Sequence, residues 1–286
     1  MQKVFVIVGP TASGKSVLAI SLAKKYGGEV ISADSRQVYK GMDIGTGKVT
    51  KKEMRGIPHH FLSVANPKKQ YTVEQYKKDA AHALKDILSR GKTPIICGGT
   101  GFYIDALVHG TTLPSVPPNK ALRKKLEKLS VEKLFALLKK KDPARAKTID
   151  AKNPRRLIRA LEIIEALGKV LKIKAQTLPD IRFEWIGVDL PDKKLKQKIH
   201  TRLTERMKKG MLAEVKKLKS PSANRRSGGL SWQRLESFGL EYKWLAHYLQ
   251  GKMDKKEMLE KLELDIWHYA KRQRTWFKRN KKIKWQ

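Results

Sequence analysis

At 286 residues and 40% apolar content, the chain can build one large domain or two of ordinary size, and it is too apolar to be disordered. Its single cysteine, Cys97, excludes a disulfide framework and any zinc site made of several thiolates. Lys and Arg number 63 against 27 Asp and Glu, a formal charge of +36, which points to a polyanionic partner unless it reflects a general lysine bias. The excess is patchy. From Met1 to Ser35 only Lys3, Lys15, Lys24 and Lys25 are basic, whereas Tyr269 to Gln286 holds eight basic residues and no acidic one.

The first apolar run, VFVIVG over residues 4–9, reads as a buried strand. It is too short for a signal peptide or a membrane span, so the expected location is the cytoplasm. Residues 14–26 place Val17, Leu18, Ile20, Leu22 and Ala23 close to a helical period. EVISAD (29–34) is a second strand, 73–89 a helix and TPIICGG (93–99) a third strand. Continuous apolar strands alternating with helices predict a parallel sheet covered on both faces. After Gly110 the proline-rich TTLPSVPPNK connects to helical material over 121–168, where Asn153 is placed to cap a helix, Pro154 to start it and Gly168 to end it. FEWIGVDL (183–190) returns to the sheet, and 193–219 and 235 to the end read as long helices. The expected fold class is α/β, a P-loop NTPase-like parallel sheet flanked by helices. Residues 1–114 and 176–286 form this core with a helical C-terminal section, and 115–175 form a small all-helical insertion.

Gly9-Pro10-Thr11-Ala12-Ser13-Gly14-Lys15-Ser16 matches G-x-x-x-x-G-K-[ST] between a strand and a helix. The loop's N–H groups can wrap phosphate oxygens, Lys15 adds a full charge and Ser16 can hold Mg²⁺. The motif is shared with ATP-binding proteins, yet it specifies only a di- or triphosphate. A kinase or NTPase usually holds Mg²⁺ with a second carboxylate at the end of a neighbouring strand. TPIIC ends instead in Gly98-Gly99-Thr100-Gly101. Asp189 ends FEWIGVD but reads better as a helix N-cap. Asp34, at the carboxyl end of a parallel strand, would face the same crevice as the phosphate loop, with a surface turn as its bland alternative.

These residues together resemble the tRNA dimethylallyltransferases (IPP transferase family). The matching segments are GPTASGKS (9–16), ISADSRQVYKGMDIGTGK (31–48), GIPHHFLSV (56–64), GGTGFYIDAL (98–107), NPRRLIRALEI (153–163), GMLAEVKKL (210–218) and YAKRQRTWF (269–277). The resemblance implies transfer of a dimethylallyl group from dimethylallyl diphosphate to the exocyclic N6 amine of the adenosine 3′ of the anticodon, in tRNAs reading codons that begin with U. It makes Asp34 the base for the amine proton and Thr100 its hydrogen-bonding neighbour. The diphosphate goes to Gly9, Pro10, Thr11, Ala12, Ser13, Gly14, Lys15 and Ser16, with Mg²⁺ on Ser16. Contacts to the anticodon stem-loop fall to Asp34, Ser35, Arg36, Gln37, Thr100, Arg123, Arg155, Arg156, Leu157, Ile158 and Arg159, within an insertion expected to bind tRNA. The implied enzyme is a cytoplasmic monomer with no membrane partner.

Arg155 and Arg159 lie four apart, opposite Leu157, Leu161 and Ile164, so they are free for phosphate or form a solvated face. The family's glycine-tyrosine-lysine motif stands here as SFGLEYKW (237–244), which leaves contacts there unassigned. The sequence ends at Gln286 without the Cys/His finger of eukaryotic relatives, as expected of the bacterial type. His59 and His60 lack partners at metal spacing and read as structural. Trp276 and Phe277 can stack on bases or pack in the core. Two other classes compete: a P-loop kinase of a small molecule or nucleoside, and a non-catalytic RNA-binding ATPase.

Overall fold

The computed structural model describes residues 1–111, 114, 116–170, 180–220 and 228–286. In chain order the strands are β1 (Gln2–Val8), β2 (Gly28–Ser32), β3 (His59–His60), β4 (Thr93–Gly98), β5 (Ile181–Gly187) and β6 (Lys284–Trp285). The helices are α1 (Lys15–Lys25), α2 (Lys51–Met54), α3 (Val73–Ser89), α4 (Gly101–Val108), α5 (Lys120–Leu126), α6 (Val131–Lys141), α7 (Pro143–Ala146), α8 (Pro154–Leu167), α9 (Asp192–Lys208), α10 (Met211–Lys219), α11 (Trp232–Ser237), α12 (Leu240–Leu249) and α13 (Lys255–Phe277).

The strands form one parallel sheet in the order β3-β2-β4-β1-β5-β6. VFVIV supplies the central strand because every residue from Val4 to Val8 is buried, as a sheet covered on both faces requires. Val4, Val6 and Val8 join the core beneath α3 and α4, while Phe5 and Ile7 join the core beneath α1. Pro94 is tolerated in β4 because pairing with β1 begins only at Ile95. The parallel α/β core anticipated from the alternating strands and helices is the fold observed.

Two compact units emerge, Met1–Gly110 with Thr177–Gln286, and Thr111–Gln176. The expected break at 175/176 lies outside the described residues, as do 112, 113 and 115 of the connector. Within the second unit, α6 and α8 enclose Leu134, Leu138, Leu157, Ile158 and Leu161. Asn153 caps α8 by accepting from Arg156 N, Pro154 opens the helix and Gly168 closes it in the left-handed region.

The two long C-terminal helices anticipated from the sequence are broken. Gly210 (φ 93°) divides 193–219 into α9 and α10, and Gly239 (φ 75°) and Gly251 (φ 70°) divide the rest into α11, α12 and α13. These glycines end each helix at a backbone conformation that other residues rarely adopt. The chain then returns to the sheet as β6, where a helix was expected. Among the described residues no helix is long and apolar enough to cross a membrane.

Glu29, buried at the start of β2, accepts from both terminal nitrogens of Arg90 (2.6 and 2.9 Å), from Lys92 Nζ (2.9 Å) and meets His60 Nε2 at 2.8 Å. His59 Nδ1 meets Ile57 O at 2.8 Å, so both histidines are structural, as their lack of metal-spaced partners implied. The Arg90 hydrogen bonds hold the Glu29 carboxyl far below its ordinary range, against the opposing effect of burial. A carboxylate with a depressed folded-state value stabilises above its unfolded value of about 4.3 and loses that contribution as pH falls below it. Glu29→Gln should therefore lower stability at neutral pH by about 1–3 kcal/mol. Denaturant titrations at pH 7 and pH 3 should show the gap between parent and variant closing on the acid side.

Candidate active site

The carboxyl edge of the sheet gathers the predicted site residues of the first unit. Gly9 follows β1, and a Cβ there would lie 2.1 Å from Val188 O, so only glycine lets the loop leave the sheet beside β5. The loop then turns through Ala12 (φ 63°) and Gly14 (φ 100°) into α1. The Ser13 hydroxyl is buried inside it without a hydrogen-bond partner. An unpaired buried hydroxyl in a loop of inward-turned backbone is the cost of a cavity shaped for an anion. Lys15 Nζ donates to Pro10 O at 2.8 Å, and burial pulls its ammonium down to about 8, with Arg202 adding to the shift and Cys97 and Asp34 opposing it. Cys97, under the loop, is itself pushed up to about 11 by burial.

The ends of β2 and β4 are tied directly together. Ala33 N donates to Cys97 O (2.8 Å), and Thr100 N donates to Ala33 O (3.1 Å). A Cβ on Gly98 would sit 2.1 Å from Ala33 O, so glycine permits this approach. Thr100 consequently stands beside the turn after Asp34. Its Oγ1 accepts from Ser35 N (3.0 Å), and it also hydrogen bonds the phenol of Tyr269. Burial and the nearby Asp34 push the Tyr269 phenol well up, so it stays neutral. Asp34 Oδ1 accepts from Arg36 N (2.8 Å) and Gln37 N (3.2 Å), which orients the carboxylate.

Arg36 Nε donates to Phe238 O at 2.7 Å, and Gln37 Nε2 reaches Thr46 O and Gly47 O, both at 3.3 Å. The amide donor of Gln37 is thus already used within the fold. The 43–47 turn is held from beyond by Glu214, whose carboxylate accepts from Asp43 N (2.7 Å), Ile44 N (2.7 Å), Gly45 N (3.0 Å) and the Tyr242 hydroxyl (2.7 Å). Lys48 closes it from inside, donating to Tyr39 O (2.8 Å) and Ser63 Oγ (2.6 Å).

Three site residues escape sequence reasoning. Arg202 donates to Gly47 O (3.1 Å), and burial with the adjacent Arg206 lowers its guanidinium to about 10. Arg206 pairs with Glu241 at 3.0 Å, and Arg202 and Asp34 both act on Glu241, whose carboxyl is raised by burial. The available signal was that Arg202 and Arg206 flank the buried stripe Leu195, Ile199 and Leu203 on α9 rather than the wet face. The third is Gln273, which donates to Gly99 O (2.9 Å) and accepts from Thr11 N (2.8 Å).

Other expectations are corrected. Asp189 is not an N-cap: its Oδ1 accepts from Leu190 N and from Arg274 Nε, both at 2.8 Å, and Pro191 occupies the cap of α9. Of the two readings offered for Trp276 and Phe277, the core is the one observed: Phe277 is buried, and Trp276 packs against the same cluster and donates to Asp105 Oδ2 (3.0 Å). In the second unit Leu157 and Ile158 are buried, so their side chains face that unit's interior rather than a partner. Arg123 grips the buried Glu162 at 2.7 and 2.6 Å, and Arg159 reaches Glu162 (3.3 Å) and Val116 O (2.8 Å). Both have structural work, which for Arg159 neither the phosphate contact nor the solvated face anticipated. Arg155 and Arg156 remain exposed, with Arg156 near Asp150 at 3.8 Å.

The depressed Lys15 ammonium gives a pH signature. An anion seated in the loop restores the charged form, so inorganic diphosphate should bind with proton uptake above about pH 8 and more weakly as pH rises. Calorimetry in buffers of different ionisation enthalpy measures that uptake, and Lys15→Met should abolish it.

Known proteins share this fold and much of this sequence. A solved tRNA isopentenylpyrophosphate transferase from Bacillus halodurans superposes with a TM-score of 0.72 at 35% identity, covering 100% of this chain and 90% of that one. A eukaryotic dimethylallyltransferase solved acting on tRNA superposes at 0.78 with 30% identity, over 97% of this chain and 70% of the other. The tRNA dimethylallyltransferase of Thermoanaerobacter sp. (strain X514) is 40% identical over 99% of this chain and 91% of its own length. The sequence profile described as IPP transferase matches residues 37–280, and by fold and by sequence this chain belongs to that family.

Proposed function

We propose that the chain transfers a dimethylallyl group from dimethylallyl diphosphate to N6 of the adenosine 3′ of the anticodon in tRNA. The observation that carries this reading is the convergence of the phosphate loop, the paired Asp34–Thr100 turn and the cations Lys15 and Arg202 on one edge of the sheet. In the transfer the bond between C1 of the prenyl group and the diphosphate oxygen breaks, and its electron pair leaves with the diphosphate. The N6 lone pair forms the new bond to C1, and the amine proton passes to the Asp34 carboxylate. Lys15, Arg202 and the loop N–H groups stabilise the charge that builds on the departing diphosphate.

Among the described residues no group of three or more His, Cys, Asp or Glu could hold a metal. That fits Mg²⁺, which takes one or two protein ligands and draws the rest from substrate phosphates and water, with Ser16 as the loop ligand. When bound, the cation would neutralise diphosphate charge. A kinase reading fares worse, because the similar proteins at 40% and 30% identity are named as a tRNA dimethylallyltransferase and a dimethylallyltransferase acting on tRNA. The adenine must leave the anticodon stack to reach the edge of the sheet, which single-stranded loops permit.

Nucleoside mass spectrometry of unmodified tRNA incubated with dimethylallyl diphosphate and Mg²⁺, without ATP, should show the prenylated adenosine. A strict ATP requirement would overturn the reading. Asp34→Asn retains a side-chain oxygen for the Arg36 and Gln37 amides, so the turn should survive while single-turnover transfer falls about 10²–10⁴-fold. Partial restoration by added Mg²⁺ would make Asp34 a metal ligand instead. For the second unit, Arg155→Ala should weaken tRNA binding and shorten its salt slope by about one contact, with diphosphate affinity unchanged.

A further inference from the structure

Gln273 lies on α13, and its side chain is 5% exposed. Its amide joins two loops just beyond Val8 and Gly98, the last paired residues of β1 and β4. Oε1 accepts from Thr11 N in the phosphate loop, and Nε2 donates to Gly99 O, the carbonyl just before Thr100. Asn would be too short for this span, Glu would lack the donor, and an apolar side chain would leave two buried backbone groups unpaired. The helix is itself anchored just beyond Gln273. Arg274 engages Asp189, Asp192 and Leu190 O, and Trp276 packs where a Cβ on Gly101 would stand and donates to Asp105.

We propose that Gln273 is a positioning residue for the transfer: it fixes the separation between the loop that holds the departing diphosphate and the turn whose Thr100 and Asp34 meet the acceptor amine. The proposal rests on the reading above. A reacting pair displaced by about 1 Å loses on the order of 10²-fold in rate. A rigid amide between the donor and acceptor loops is placed to prevent that displacement.

Two substitutions break the link from opposite ends. Gln273→Met keeps the volume and removes the amide. Gly99→Ala adds a Cβ that would lie 2.1 Å from Gln273 Nε2, which drives the side chain off the carbonyl. Single-turnover transfer is measured at saturating substrates, well below each melting temperature, together with affinities for inorganic diphosphate and an anticodon stem-loop. Each variant should slow transfer about 10- to 100-fold, weaken diphosphate and leave stem-loop affinity unchanged. The double variant should be no slower than the worse single, since both remove one link. Gln273→Glu keeps the acceptor for Thr11 N, and its rate relative to the parent should recover as pH falls and protonation restores the donor.

Leu84→Ala, on the buried face of α3, is the control for lost stability without lost alignment. Parental rates in the variants alongside a melting-temperature loss like that of Leu84→Ala would reduce Gln273 to packing. Additive slowing in the double variant would also overturn the proposal. If Gln273→Met does not fold, Gly99→Ala and Gln273→Glu decide the question. If the parent transfers no prenyl group, the functional reading falls, and the Gln273 link is then judged by diphosphate affinity alone, where unchanged values in the variants sink it.

Discussion

The site depends first on the contact between the carboxyl ends of β2 and β4. Ala33 donates to one strand end and accepts from the residue that begins the next helix, so two separate crossovers finish against each other. Side chains leaving that junction, Asp34 on one side and Thr100 on the other, have little freedom to separate. Any bulk at Gly98 would force the strands apart and carry both residues with it. The alignment of the two groups is therefore a property of the sheet, which is the most rigid part of the fold, and not of the exposed loops above it.

Above that junction the segment from Ser35 to Lys48 contains almost no regular structure, yet it is fixed at many points. Glu214 collects three successive N–H groups at its tip, Arg202 and Arg206 take carbonyls on its flank, and Arg36 reaches across to Phe238. These ties come from α9, α10 and the α11–α12 junction. The C-terminal helices act as the outer wall that turns an irregular segment into a defined surface. Their own packing, around Leu195, Leu203, Val215, Tyr242 and Leu262, is the largest apolar cluster among the described residues.

Much of the core was legible because local patterns and fold agree. VFVIV, EVIS and TPIIC are short apolar runs bounded by glycine, and Thr72 with Gln75 and Asn153 with Pro154 are helix starts that need no tertiary context. The phosphate loop was legible for the same reason. Gln273 and Arg202 were not, because their meaning lies in partners far away in sequence, and a polar residue on a helix gives no sign of which carbonyl it serves. Arg123 shows the reverse error. An arginine in a basic segment reads as available to phosphate, while the buried Glu162 that occupies it sits on another helix. The glycines that split the late helices stand in the sequence, but an isolated glycine is tolerated within a helix and does not by itself mark a break.

The tie between Thr11 and Gln273 spans 262 residues, and those from Glu214 to the 43–45 turn span about 170. During synthesis the first strand and its phosphate loop emerge long before the helix that will brace them, and β1 waits for β5 as well. Contacts of such long range must close large loops before they contribute stability. The nascent chain can pair β1 with β4 early, but it carries an unbraced phosphate loop until α13 has left the ribosome. The phosphate loop thus gains this hydrogen bond only after α13 has been made, and a chain stopped short of α13 would hold the motif without its brace.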